Sequence, residues 1–159
     1  MKSEKTKIKE IKTLKELRSD LTQNLIDING NIVSLKNCIE SNEIIIHHIE
    51  NNLPYNDSLN FHFSRLYPYI ALSVNQTTYE SLKQTGFNLI SNDSLRISIS
   101  DIYANQFSFY RNLESSYLEE HHNNYIKPMF MSEFITFEYL TSIQPKNFDE
   151  FVQNDQINV

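Results

Sequence analysis

From Ile11 to Leu53 the chain places its aliphatic residues at alternating steps of three and four. They run Ile11, Leu14, Leu21, Leu25, Ile28, Ile32, Leu35 and Ile39, then Ile46, Ile49 and Leu53 after a gap. Such spacing puts the side chains on one stripe of an α-helix and predicts coiled-coil packing against a partner helix. Arg18 and Asn42 occupy the two positions that break the stripe. A helix continuous from residue 3 to 52 would be about 75 Å long at 1.5 Å per residue. Gly30, between Asn29 and Asn31, costs that helix about 1 kcal/mol relative to alanine and offers a bending point. A seam amide such as Asn42 can set register or partner number.

Composition closes off several alternatives. Two glycines and four prolines among 159 residues are too few for the turns of an all-β chain, and for any glycine-rich phosphate loop. No dinucleotide fingerprint is present, and the residues imply no cofactor. The single cysteine, Cys38, can form neither an intrachain disulfide nor a thiolate metal cluster. Among apolar helix neighbours it reads as a small packed side chain. The longest aliphatic run, Ile44-Ile45-Ile46, is far shorter than a membrane span, and no signal peptide is evident. As given, the chain is expected to be soluble.

Charge is unevenly distributed. Residues 1–18 hold seven basic and three acidic side chains, a net of +4, while the remainder holds seven basic and seventeen acidic ones, a net of −10. A basic end on an acidic body suits either a solvated helix face or contact with phosphates and anionic lipid heads. The acidic body argues against nucleic acid.

The rest of the chain also reads as helical. Leu53-Pro54-Tyr55-Asn56-Asp57 ends the first helix, and Asp57 or Ser58 caps a short aromatic helix that Pro68 interrupts. Thr77 and Glu80 fit a capping box for a two-turn helix, with Tyr79 and Leu82 on its buried face and Gly86 as its positive-φ stop. Phe87, Leu89 and Ile90 are too apolar for a free loop. Ser91 or Asn92 caps a second long helix, with Asp93 near its positive end. Leu95, Ile99, Ile102, Tyr103, Phe107, Tyr110, Leu113 and Tyr117 form that helix's apolar face. Pro128 is expected to kink or stop it, Met129 to Leu140 reads as another helix, and Phe148 to Gln153 as a short last one within the tail Asn147 to Val159.

The fold class expected is therefore all-α: one elongated helical domain over 1–159 built on two long helices, about 5–52 and 92–126. Within it, 1–53 forms the heptad helix, 54–91 the short helices and corner, 92–127 the second long helix, and 128–159 the C-terminal helices and tail.

No constellation of catalytic residues stands out. Two histidine pairs, His47-His48 and His121-His122, invite a metal reading. Adjacent helical residues point about 100° apart, however, and Glu119-Glu120-His121-His122 is equally a polar helix face. There is no nucleophile elbow. Arg96 could bind an anion near the Gly86 corner, or pair with Glu80 or Asp93. Tyr67, Tyr69, Tyr79, Phe87, Tyr103, Phe107, Phe109 and Tyr110 could line a ligand pocket or form the bundle core.

Residues Thr78, Tyr79, Glu80, Leu82, Lys83 and Gly86, then Leu89, Ile90, Asn92, Leu95, Arg96 and Tyr103, spell a motif approximating TYExLKxxG…LIxNxxLR. With the basic heptad helix before it, including Leu14, Leu17, Asp20 and Leu21, the chain over about residues 5–125 resembles an uncharacterised bacterial family of short membrane-anchored helical proteins. In that family a single transmembrane helix precedes the basic coiled-coil segment. The resemblance thus implies that the sequence is a soluble fragment of a longer membrane protein, with the +4 segment beside the lipid heads. It supplies no catalytic residue. Two functions are expected from these readings. One is a non-enzymatic membrane-anchored interaction or scaffold module, joining a second copy or a protein partner through the 11–53 seam. The other is a sensory domain that binds a small ligand between helices.

Overall fold

The structure, a computed structural model, describes residues 3–138 and 140–153. It is mostly helical. Helix α1 runs Glu4–Glu50, followed by α2 (Leu59–Leu66), α3 (Thr77–Thr85), a 3₁₀ turn at Phe87–Leu89, α4 (Asp93–Ser100) and α5 (Phe107–Leu113). Helices α6 (Lys127–Glu133) and α7 (Phe148–Gln153) flank strands β1 (Phe134–Glu138) and β2 (Ser142–Pro145). Among the described residues no helix is long and apolar enough to cross a membrane. The residues expected as one domain fall in two compact units: Met1–Asn31 with Ala71–Glu114, and Ile32–Ile70 with Ser115–Val159.

In the first unit, Leu17, Tyr79, Leu82, Ile90, Ile99 and Tyr103 form the core. The Leu89-Ile90 segment expected to pack inward does so, with Ile90 wholly buried. Ala71–Asn75 has no regular secondary structure and pairs with no strand among the described residues, so its backbone groups need other partners. Side chains provide them. Asn24 Nδ2 donates to the Asn75 carbonyl at 3.1 Å, and Asn75 N donates to Asn24 Oδ1 at 2.7 Å. Asn31 Nδ2 donates to the Ala71 carbonyl, and the Glu114 carboxylate accepts from Leu72 N.

The start of α3 departs from the expected capping box. Thr77 is already helical, its N–H donates to Asn75 Oδ1, and Thr78 N donates to Asp20 Oδ2 of α1 at 3.1 Å. Glu80 turns outward to Lys83. The Asp20 carboxylate caps α3 from another helix, so the local box is not needed. Asn92 caps α4 by accepting from Leu95 N, while Ser91 is held by Glu10 of α1. Gly86 follows α3 with φ +95°, a backbone region that glycine adopts without steric cost.

In the second unit, Ile45, Leu59, Phe63, Phe130, Phe134, Ile143, Phe148 and Phe151 form the core. The Phe130 and Phe134 rings stack at 4.5 Å, and Phe63 meets Phe134 edge-on at 5.0 Å. The expected helix over Met129–Leu140 ends at Glu133, and the all-α expectation is corrected by the antiparallel β1–β2 pair. Phe137 faces Ile143 and Glu138 faces Ser142, with a register shift between Phe134 and Thr136. The run Phe134-Ile135-Thr136-Phe137 is β-branched and aromatic, which favours strand once a partner is present, and Leu140 at φ +58° turns the chain back. At the start of α2, Ser58 stands at the N-cap as expected but makes no side-chain cap bond, and its own N–H donates to Asn56 Oδ1.

Pro128 does not stop the second long helix. Helical backbone continues from Asp93 to Glu133, interrupted by i→i+5 winding at Asp101–Gln106, Glu114–Glu119 and His122–Ile126. Pro128 sits in the first turn of α6, just after the last of these, where its missing N–H removes no regular i→i−4 bond. The winding also rotates the apolar stripe. Ile99 and Tyr103 are buried, whereas Tyr110, Leu113 and Tyr117, expected on the same face, are exposed.

If the Asn24 amide is what satisfies Asn75, Asn24→Leu should lower unfolding stability by about 1–3 kcal/mol, because a similar volume leaves two backbone groups unpaired. Urea unfolding measures this, and an unchanged midpoint would show that Asn75 finds other partners.

Candidate functional site

Four of the motif residues, Tyr79, Leu82, Ile90 and Tyr103, come together in the core of the first unit. Tyr79 and Tyr103 stack with ring centroids 4.5 Å apart and planes 10° from parallel, and Leu82 is 1% exposed within the same cluster. Phe87 and Phe107 close the aromatic group edge-on, at 5.7 and 5.4 Å. Leu89 packs against the same core, whereas Gly86, Asn92, Glu80 and Arg96 do not converge there. Gly86 ends α3, Asn92 caps α4, Glu80 pairs with Lys83, and Arg96 pairs with Asp93 at 2.7 Å. The motif is thus a set of stops, caps and core contacts.

The Tyr103 hydroxyl is buried and has no hydrogen-bond partner among the described residues. Burial first, and then the negative charge of Asp20, push its pKa up to about 12. Both causes favour the neutral phenol.

Arg96 lines an open groove of about 460 Å³ with Phe87, Ile97, Ser100, Asp101, Ala104 and Asn105. Its guanidinium is engaged by Asp93 and by the Ile90 carbonyl, so it is not poised for an external anion. Tyr110, expected beside Tyr79 and Tyr103, is instead 51% exposed. Tyr67 and Tyr69 belong to the second unit, where both rings neighbour His122.

The histidines serve structural contacts. His48 Nε2 meets the Pro54 carbonyl at 2.8 Å, His122 Nε2 meets that of Tyr67 at 2.8 Å, and His62 Nδ1 meets Ser41 Oγ at 3.2 Å. Among the described residues no three histidine, cysteine or acidic side chains gather as a metal set would require. Burial pushes the Cys38 thiol up, away from the reactive thiolate.

The surface feature that stands out lies on α1. The helix turns polar Asn24 and Ser41 inward, at 1% and 0% exposed. Heptad residues stay outside: Leu25 at 59% in the first unit, and Ile32, Leu35, Ile39 and Ile46 at 43–59% in the second. In the first unit, Leu14, Leu21 and Leu25 of α1 and Leu95 and Ile99 of α4 line an apolar groove of about 380 Å³ with Arg18 and Thr22. The roles of Asp20, Asn24 and Asn31 in organising the Ala71–Asn75 segment escaped the sequence reading. Their spacing of four and seven places them on one helix face, a polar stripe beside the apolar one.

No family model, curated protein or solved structure matches the chain.

Because the Tyr103 phenol is held neutral in the folded chain, its contribution to stability is complete below the ordinary tyrosine pKa of about 10. That contribution is lost as pH rises from there through about 12. Alkaline unfolding should therefore be less steep over that window for Tyr103→Phe than for the wild type. Identical profiles would place the phenol's titration in an unshifted environment.

Proposed function

We propose that this chain is a non-enzymatic helical interaction module that docks a partner helix on the heptad face of α1. The observation that carries the reading is the inversion on α1, where amide and hydroxyl side chains are buried while Leu25, Ile32, Leu35, Ile39 and Ile46 remain in water. Burying such a side chain releases roughly 1.5–3 kcal/mol. An ordered helix with five of them outside has a ready driving force for association. The apolar groove between α1 and α4 offers a second strip of the same chemistry.

A sensory role with a ligand between helices has less support. The Tyr79–Tyr103 stack is closed, and the groove beside Arg96 draws on neither ring. The family resemblance adds a location: an anchor ahead of α1 would set exposed Lys5, Lys7, Lys9, Lys12 and Lys15 beside anionic lipid heads.

Light scattering tests the assembly reading. The wild type should have the mass of an oligomer, and Leu25→Lys with Ile32→Lys should reduce it to a monomer while leaving helical circular dichroism intact. A wild type that is monomeric at its highest soluble concentration would sink the self-association form of the proposal.

A further inference from the structure

Within the second unit, the exposed strip of α1 reads Ile32, Lys36, Ile39, Glu43, Ile46, at steps of four and three. Its chemistry is symmetric about Ile39 in shape and antisymmetric in charge. Seven residues to either side stand Ile32 and Ile46; between them and the centre stand Lys36 on one side and Glu43 on the other. Neither Lys36 nor Glu43 has an ion partner among the described residues.

We infer that this strip is a homodimer interface in which a second copy of the chain binds antiparallel, around a two-fold axis at Ile39. The inference rests on the docking role proposed above for the heptad face and names its partner. A two-fold axis perpendicular to the helix lays Ile39 on Ile39 of the second copy, and Ile32 on its Ile46. The same operation brings Lys36 against Glu43 of the second copy, twice over. Three apolar layers thus alternate with two ion pairs along one flank of the seam, and Leu35 meets Asn42 of the second copy along the other.

Register follows from the same charges. Sliding the second copy by one heptad keeps aliphatic residues in contact but sets Glu43 against Glu43 in one direction, and Lys36 against Lys36 in the other. A parallel copy in register also places each charge beside its own kind. Like charges at close range penalise each of these alternatives, while the antiparallel arrangement about Ile39 satisfies both.

Cysteine pairing distinguishes the arrangements. In a Cys38→Ser background, Ile32→Cys and Ile46→Cys chains are prepared separately, then mixed and oxidised with glutathione disulfide. The inference expects a covalent dimer in the mixture and loss of that band when either chain is oxidised alone, because the antiparallel axis separates like positions. Pairing of Ile32→Cys with itself, or no cross-link from an oligomer of unchanged mass, overturns the antiparallel interface but leaves the docking role standing. A monomeric mass for the unsubstituted chain overturns the homodimer interface, and with it the self-association form of the docking role. As a second readout, Lys36→Glu should weaken association, and Lys36→Glu with Glu43→Lys should restore it. Failure of the double variant to recover would likewise refute the pairing.

Discussion

The first unit depends on a pair of hydrogen bonds between one amide side chain and one backbone residue. Asn24, almost wholly buried, donates to the carbonyl of Asn75 and accepts from its N–H. A segment outside helix and sheet cannot be packed against a helix unless its polar backbone is satisfied. Asn31 and Glu114 complete the task at Ala71 and Leu72, and Asp20 continues it into the first turn of α3. The placement of α3 determines where Tyr79 meets Tyr103.

That arrangement has a consequence for the surface of α1. A helix that must face a bare backbone segment turns its amides toward it, and its aliphatic stripe cannot occupy the same sector. Leu17 reaches the core, but Leu25 does not. In the second unit a similar choice is made by Ser41, wholly buried against His62, with Ile45 beside it in the core. Exposed aliphatic residues on α1 are therefore the complement of its buried polar ones. In the proposed docking role they are the surface that a partner helix would cover.

Much of the local structure was legible because it is specified by neighbours in sequence. The extent of α1, the glycine that ends α3, the Asn92 cap of α4 and the short helix Phe148–Gln153 all follow from spacing, capping chemistry and backbone preference. The capping box at Thr77 and Glu80 was equally well spelled but did not form: the Thr77 N–H goes to Asn75 Oδ1, and a carboxylate 58 residues away in sequence, Asp20, takes the Thr78 N–H. Local rules state which groups need partners, and they do not say that the partner must be local.

What the sequence by itself determined is that α1 is a long helix carrying an aliphatic stripe, and that caps and stops divide the rest into short segments. Only the tertiary structure decided which stripe of α1 turns inward, because Asp20, Asn24 and Asn31 acquire meaning only when Ala71–Asn75 lies against them. It also decided that Phe134–Glu138 is a strand, since a ladder needs the partner Ser142–Pro145, and that i→i+5 winding carries Tyr110, Leu113 and Tyr117 off the buried face. Helix periodicity reports which residues share a face. It cannot report what that face will meet, because burial is a property of two surfaces.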